Sequence, residues 1–321
     1  MNILFIPGMT VPELTDAYRE NILKSAGQDT RILVAKTPEE QVNLAPDVEV
    51  VLGTIVRPAF IAAKKLRVVQ TLSAGVDTQL YPEFVASDVQ LISDKGMVGD
   101  HLSEHAFGLL LALTRGITRM AHDKAWIEDR FEFRQSLIEL TGLTMGIIGL
   151  GGTGLGVAKR ANAFNMRVIA MDPEPVQKPA HVEAVYGTDR FYDLLKQSDV
   201  VTISAPLTSL TKDLFNLQAF QQMKRRAYLI NVTRGEIVHE DSVVQALQQG
   251  LIAGAGLDVT PREPMPPDSP LWKMDNVIIG CHTAGASPLR PGRTVDRFCR
   301  NLVNFRQGQP LEGVIDKNKQ Y

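Results

Sequence analysis

Eleven short runs of β-branched and apolar residues recur along this chain, with helically spaced segments between them. Parallel strands need a crossover long enough to hold a helix, so the alternation reads as repeated βα units building mostly parallel sheets. Five runs come first, at residues 2–6, 31–34, 48–53, 67–72 and 89–92, and they suffice for one small α/β domain. Six more follow at residues 144–148, 167–171, 200–204, 227–231, 253–258 and 277–280, enough for a second. Between the two series, residues 99–119 repeat Leu102, Ala106, Leu110, Leu113 and Ile117 at helical spacing, while Phe107, Leu109 and Leu111 make the other faces apolar. One long buried helix is expected there. A last helix, about residues 293–307, follows the final strand and could return to the first domain.

With 321 residues, the chain exceeds the usual size of one domain and suits two. It carries 44% hydrophobic and 22% charged residues with a formal net charge of -2, which points to neither nucleic acid nor a membrane surface. Residues 1–7 lack a basic leader and the longest apolar stretch is too short to span a bilayer, so a soluble cytoplasmic protein is expected. Cys281 and Cys299 form no CxxC pair or metal cluster and read as packing residues without a disulfide.

The string GLGGTG at residues 149–154 fits GxGxxG, a weak pattern until its setting is read. A strand-like run (Thr144, Met145, Gly146, Ile147, Ile148) enters it and a helical run (Leu155, Val157, Ala158, Ala161, Phe164) leaves it. The next strand ends at Asp172, about twenty residues past the turn, as a dinucleotide fingerprint requires. Gly149 permits the tight turn, Gly151 lets backbone approach the pyrophosphate, and Gly154 lets helix and strand touch. The helix N-terminus offers unpaired N–H groups to the phosphates. Asp172 can accept from the adenosine ribose hydroxyls and would repel a 2′-phosphate, so NAD is favoured over NADP. Pro173, Glu174 and Pro175 follow with no arginine beside them.

Three later motifs stand at strand ends, where open α/β sheets bind ligands: NVTRGEIV at 231–238, GLDVTPREP at 256–264 and CHTAGAS at 281–287. With SAGVD at 73–77, the SEHAFGLLLALTR helix, GLGGTG and SAPLT at 204–208, their order and spacing over nearly the whole chain resemble the D-isomer-specific 2-hydroxyacid dehydrogenase family. That family includes glyoxylate and hydroxypyruvate reductases and 3-phosphoglycerate dehydrogenase. The resemblance implies two Rossmann-like or flavodoxin-like parallel-sheet domains with a central cleft. Residues 1–98 and 288–321 would form a discontinuous substrate-binding domain, and 99–287 the NAD-binding domain.

Carried over by position, the resemblance makes Arg234, Glu263 and His282 the catalytic set, and elementary chemistry agrees. Hydride transfer to a ketone leaves negative charge on oxygen, so the site needs a proton donor and a cation. An imidazole titrates near neutrality and can serve as acid and base, the part expected of His282. Glu263 on the other ring nitrogen would favour the protonated ring, and the planar fork of Arg234 suits a 2-oxo acid. The resemblance further implies that the N–H groups of Ala74, Gly75 and Val76 clamp the substrate carboxylate across the cleft. Gly152 and Thr153 would contact the pyrophosphate and Asp258 the nicotinamide carboxamide. Val232 and Thr233 would line the ring pocket, with Ala205, Pro206, Arg234, His282 and Gly285 completing the cofactor set.

His101 and His105 stand at i, i+4 with Glu104 nearby, but no further ligand completes a metal site, so structural roles are expected and no metal. Trp126, Phe131 and Phe133 lie where the family embraces a second subunit, which implies a homodimer. Arg57 in TIVRP superficially matches a phosphate-binding arginine of phosphoglycerate dehydrogenases. The stretch 57–66 is shorter than that arrangement needs, so a small unphosphorylated acid such as glyoxylate or hydroxypyruvate is favoured. Two other classes compete with an NAD-dependent dehydrogenase of D-2-hydroxy acids. One is a dinucleotide-sensing protein like the transcriptional corepressors that retain these residues. The other is a formate dehydrogenase, which has glutamine where Glu263 stands.

Overall fold

A computed structural model describes residues 1–321. The chain divides into two compact units, Met1–Val98 with Ala286–Tyr321, and Gly99–Gly285.

The first unit is built on a five-stranded parallel sheet of β1 (Asn2–Phe5), β2 (Arg31–Val34), β3 (Val50–Leu52), β4 (Val68–Gln70) and β5 (Gln90–Ile92). Its order is β2-β1-β3-β4-β5, the flavodoxin-like sequence of a doubly wound fold. Ile3 pairs with both Ile32 and Val50, and Val68 with Val50 and Gln90, so the central strands bury both faces. The helix Asp16–Ala26 begins where Thr15 Oγ1 accepts from Tyr18 N (3.2 Å), and it packs on the helix Arg290–Gln307. That last helix turns Thr294, Val295, Phe298, Asn301 and Leu302 inward, one stripe at helical spacing that closes one face of the sheet with Ile3, Phe5 and Ile22.

The second unit carries seven parallel strands: β6 (Thr144–Ile148), β7 (Arg167–Met171), β8 (Ala184–Tyr186), β9 (Val200–Ile203), β10 (Tyr228–Asn231), β11 (Gly254–Leu257) and β12 (Val277–Ile279). Their order, β12-β11-β10-β9-β6-β7-β8, reverses direction between β6 and β9. Such a switch point opens a crevice at the strands' carboxyl ends. Strand β8 has no counterpart among the eleven expected runs. It is three half-buried residues at the sheet edge, Ala184, Val185 and Tyr186, with one β-branched residue among them and Glu183 and Gly187 on either side.

The long helix expected over 99–119 is shorter. It runs Gly99–Thr114, and a separate helix, Ile117–Asp123, follows. Arg115 N still donates to Leu111 O (2.9 Å), but Gly116 N turns to Leu113 O (3.4 Å), one residue short of its helical partner. Gly116 then turns left-handed at φ 64 against the Phe133 ring. The helix Gly99–Thr114 buries Leu102, Ala106, Phe107, Leu109 and Leu110 against the helix Gly152–Ala163 and strands β10 to β12, while Leu111 and Leu113 are only half-buried. The crossing is close. A Cβ on Gly99 would stand 2.3 Å from Gly152 O, and one on Gly156 2.7 Å from Gly99 O. No helix is long and apolar enough to cross a membrane.

Candidate active site

Six loops at the carboxyl edge of the second unit's sheet hold the expected cofactor and catalytic positions. After β6, Gly149 adopts φ 88, open to glycine at little cost, and a Cβ there would stand 2.9 Å from the backbone of Ala205. The helix Gly152–Ala163 starts at once, with Gly151 as an N-cap that supplies no side-chain acceptor. The N–H groups of Gly152, Thr153 and Gly154 therefore remain for a ligand. Nothing lies within 4 Å of the place a Gly151 Cβ would take, whereas a Gly154 Cβ would meet Gly149 O at 2.1 Å. Room above Gly151 and contact beneath Gly154 are what a passing pyrophosphate needs.

Asp172 follows β7 and is half-buried beside this turn. Leu150 N donates to its Oδ2 (2.8 Å) and Glu174 N to its Oδ1 (2.9 Å). Each oxygen keeps a second lone pair for a ribose hydroxyl. The nearby cation of the following loop, Lys178, gives its Nζ to Val182 O (2.7 Å). These residues fit an adenosine ribose and pyrophosphate. Ala205 is buried and Pro206 exposed in the loop after β9, where Pro206 O accepts from Thr211 Oγ1 (2.7 Å).

The loop after β10 carries Val232, Thr233 and Arg234. Asn231 shapes it, donating through Nδ2 to Arg234 O (2.8 Å) and accepting from Thr233 N (3.2 Å). The Arg234 guanidinium is half-buried, with Nη1 donating to Thr233 O (2.8 Å). Gly235 presses on the next loop, where a Cβ would overlap the Thr260 carbonyl carbon at 2.0 Å. Thr260 in turn orients Glu263, donating through its N–H to Oε1 (3.1 Å).

Glu263 Oε2 meets His282 Nδ1 at 2.7 Å, and both side chains are exposed. The pair fixes the ring and leaves Nε2 without a partner in the chain. His282 itself stands at φ 57, an unusual backbone for a residue with a side chain. Asp258 holds it there. Its carbonyl accepts from His282 N (2.8 Å), and its carboxylate accepts from Thr283 N (3.1 Å) and Ala284 N (2.9 Å). That carboxylate is fully buried and turned onto the loop, with His105 Nε2 3.3 Å away but off a hydrogen-bond line. A Gly280 Cβ would stand 2.5 Å from it. Gly285 is half-buried where this loop ends.

Sequence reasoning did not single out Asn231 or Thr260, which shape the two loops, nor His105 as a partner of Asp258. A signal for His105 existed. It stands three residues after Leu102 and four before Leu109, so a polar ring shares the buried stripe and must find a partner.

In the first unit, the turn after β4 holds Ala74, Gly75 and Val76. Their three successive N–H groups donate to no acceptor in the chain, an arrangement receptive to an anion. Exposed Arg57 is ion-paired with half-buried Glu83, which is held below the usual carboxylate range by that guanidinium.

Residues 107–284 match the model of the family described as D-isomer specific 2-hydroxyacid dehydrogenase, NAD binding domain. A glyoxylate reductase of Thermofilum pendens is 35% identical over 262 residues, 80% of this chain and 76% of that protein. The glyoxylate reductase of Pyrococcus horikoshii is 31% identical over 97% of this chain and 94% of its own. Among solved structures, the NADPH-dependent glyoxylate/hydroxypyruvate reductase of Sinorhizobium meliloti, in complex with NADP and sulfate, superposes with a TM-score of 0.83 at 25% identity, covering 100% of both chains.

Proposed function

The chain belongs to the D-isomer specific 2-hydroxyacid dehydrogenase family, and from that premise we propose that it reduces a small unphosphorylated 2-oxo acid, glyoxylate or hydroxypyruvate, to the D-2-hydroxy acid. It is a nicotinamide-dinucleotide-dependent oxidoreductase. The observation that carries the finer reading is the 2.7 Å contact of Glu263 with His282 Nδ1, which leaves Nε2 open on the loop beyond β12.

When bound, the nicotinamide supplies a hydride to the carbonyl carbon. His282 Nε2 delivers a proton to the carbonyl oxygen as its π bond opens, and takes one back in the reverse direction. Glu263 keeps Nδ1 as the donor in that pair and prevents the ring from turning. Arg234 offers its fork to the substrate's oxygens and stabilises negative charge as it grows there. The N–H groups of Ala74, Gly75 and Val76 take the substrate carboxylate. Gly149, Gly151, Gly152, Thr153 and Gly154 carry the pyrophosphate, with Ala205, Pro206, Val232, Thr233 and Gly285 lining the rest of the cofactor's path. Asp258 serves the nicotinamide end through the loop it anchors, at residues 282–284.

NAD is preferred to NADP because the Asp172 carboxylate is held beside the glycine turn and the Lys178 ammonium is already bonded to Val182 O. The Arg57–Glu83 pair supports an unphosphorylated substrate, since that guanidinium already has its anion. The enzyme is a homodimer acting in the cytoplasm, a reducing compartment that suits two free cysteines.

A panel of glyoxylate, hydroxypyruvate, pyruvate, 3-phosphohydroxypyruvate and formate, followed by nicotinamide absorbance with NAD(H) and NADP(H) in parallel, tests this reading. Oxidation of NADH by glyoxylate or hydroxypyruvate with a D-hydroxy product is expected. Exclusive use of the phosphorylated acid, or reduction of NAD by formate, overturns it.

A further inference from the structure

Asp94 is the most deeply buried carboxylate of the first unit, with a side chain 0% exposed. It follows β5 at the carboxyl edge of the sheet. Its Oδ2 accepts from Thr294 Oγ1 (2.8 Å) and lies 3.4 and 3.5 Å from Nε and Nη2 of Arg290, itself 14% exposed. Its Oδ1 is buried without a hydrogen-bond partner. Burial raises the Asp94 carboxyl above the usual range against the pull of Thr294, Arg290 and the neighbouring Arg297. A charge pair in such a place contributes little to folding, because apolar side chains of the same volume would fill it at lower cost.

What the cluster touches gives it another use. Asp94 N donates to Ser73 O (2.9 Å), and Arg290 Nη2 donates to Leu72 O (3.1 Å). Thr71 Oγ1 also donates to Ser73 O (2.9 Å), and Ser73 Oγ to Gly75 O (2.7 Å). The carbonyls of Leu72, Ser73 and Gly75 are thus all engaged, while the N–H groups of Ala74, Gly75 and Val76 are not. Arg297 locks the adjoining strand end, donating through Nη1 to Ser93 O (2.8 Å) and Lys95 O (3.0 Å). A turn pinned by its carbonyls keeps its N–H groups facing one way.

We propose that Asp94, Arg290 and Thr294 are positioning residues for the substrate carboxylate. They hold the turn at residues 72–76 in the form that leaves its three N–H groups open to an anion. The device ties affinity for the acid to the first turn of the helix Arg290–Gln307, remote in sequence from the turn it serves. This inference rests on the assignment of Ala74, Gly75 and Val76 to the substrate carboxylate.

The test compares Asp94→Asn, Arg290→Lys and Thr294→Val with the unaltered protein in four measurements. These are KM for the 2-oxo acid, Ki for oxamate (an unreactive 2-oxo acid isostere), kcat, and the dissociation constant of NADH by fluorescence. In Asp94→Asn, KM and Ki are expected to rise together by about tenfold, with kcat and NADH affinity within about threefold. Thr294→Val and Arg290→Lys should show smaller rises in the same two constants. Should Asp94→Asn fail to fold, Thr294→Val, which removes one hydroxyl, carries the same comparison. Unchanged KM and Ki in folded variants overturn the inference alone, as does a parallel loss of kcat, NADH affinity and thermal midpoint. No turnover of any 2-oxo acid by the unaltered protein overturns the functional reading beneath it.

Discussion

His282 occupies a left-handed backbone conformation at φ 57, which costs a residue with a Cβ about 1–2 kcal/mol. The bonds that Asp258 receives from His282, Thr283 and Ala284 offset that cost. Replacing His282 by Asn keeps a polar side chain of moderate size and removes the group proposed as proton donor. We expect kcat to fall by about 10²–10⁴ with NADH affinity retained, and turnover within tenfold of the original would remove His282 from its role. Tyr81 makes a different residue-scale case. Its ring packs edge-on to Phe60 and Phe84, but its hydroxyl is buried with no partner, and burial, then the nearby Glu83 charge, raises the phenol far above its ordinary value. A raised folded value means that stability is constant below the free phenol's titration near pH 10 and is lost as pH rises above it. Tyr81→Phe keeps the ring and should stabilise the protein by about 1 kcal/mol at pH 7, and it should also flatten the alkaline decline. Urea unfolding at neutral and alkaline pH measures both; a less stable variant would mean that the hydroxyl has a partner. The identities of His282 and Glu263 could be read from the sequence, because each is a titratable group in a motif. The φ of His282 and the isolation of the Tyr81 hydroxyl could not, because both depend on segments that meet only in space.

At the scale of the element, the glycine turn shows how one motif hides two kinds of glycine. Gly154 is required by the fold, since a Cβ there would overlap Gly149 O, whereas the space over Gly151 is open. Gly154→Ala should lose about 2 kcal/mol or more, as overpacking against backbone does. Gly151→Ala should keep its thermal midpoint while NADH binds about tenfold more weakly. Thermal scans with NADH fluorescence separate the two; equal loss of stability in both would contradict the distinction. The alternating pattern carried every strand long enough to show it, and the helix after the glycine turn was plain from its apolar spacing. β8 escaped because its run holds a single β-branched residue, Val185, between Glu183 and Gly187 at the sheet edge. The end of the helix Gly99–Thr114 escaped because its apolar spacing continues to Ile117, while Gly116 packing on Phe133 turns the chain.

For the whole molecule, the segment from Ile117 to Ser136 stands out. The helices Ile117–Asp123 and Arg130–Ser136 bury no residue, and Trp126 and Phe131 are 73% and 69% exposed, with Met120 and Ile117 beside them in the sequence. Large aromatic side chains gathered on so slight a support suit the surface of a second copy. We expect sedimentation to report a dimer, and the double change Trp126→Arg, Phe131→Glu to give a folded monomer; a dimer that survives that change places the interface elsewhere. Local chemistry along the chain was enough to specify parallel α/β units and to nominate a glycine turn with an acidic neighbour and the residues proposed for carbonyl reduction, because spacing and side-chain chemistry are properties of near neighbours. Sheet order, the burial of Asp258 on its own loop and the Asp94–Arg290 pair were settled only by the tertiary structure. Each joins segments tens to about two hundred residues apart, and which of them meet depends on the packing of all the elements between them.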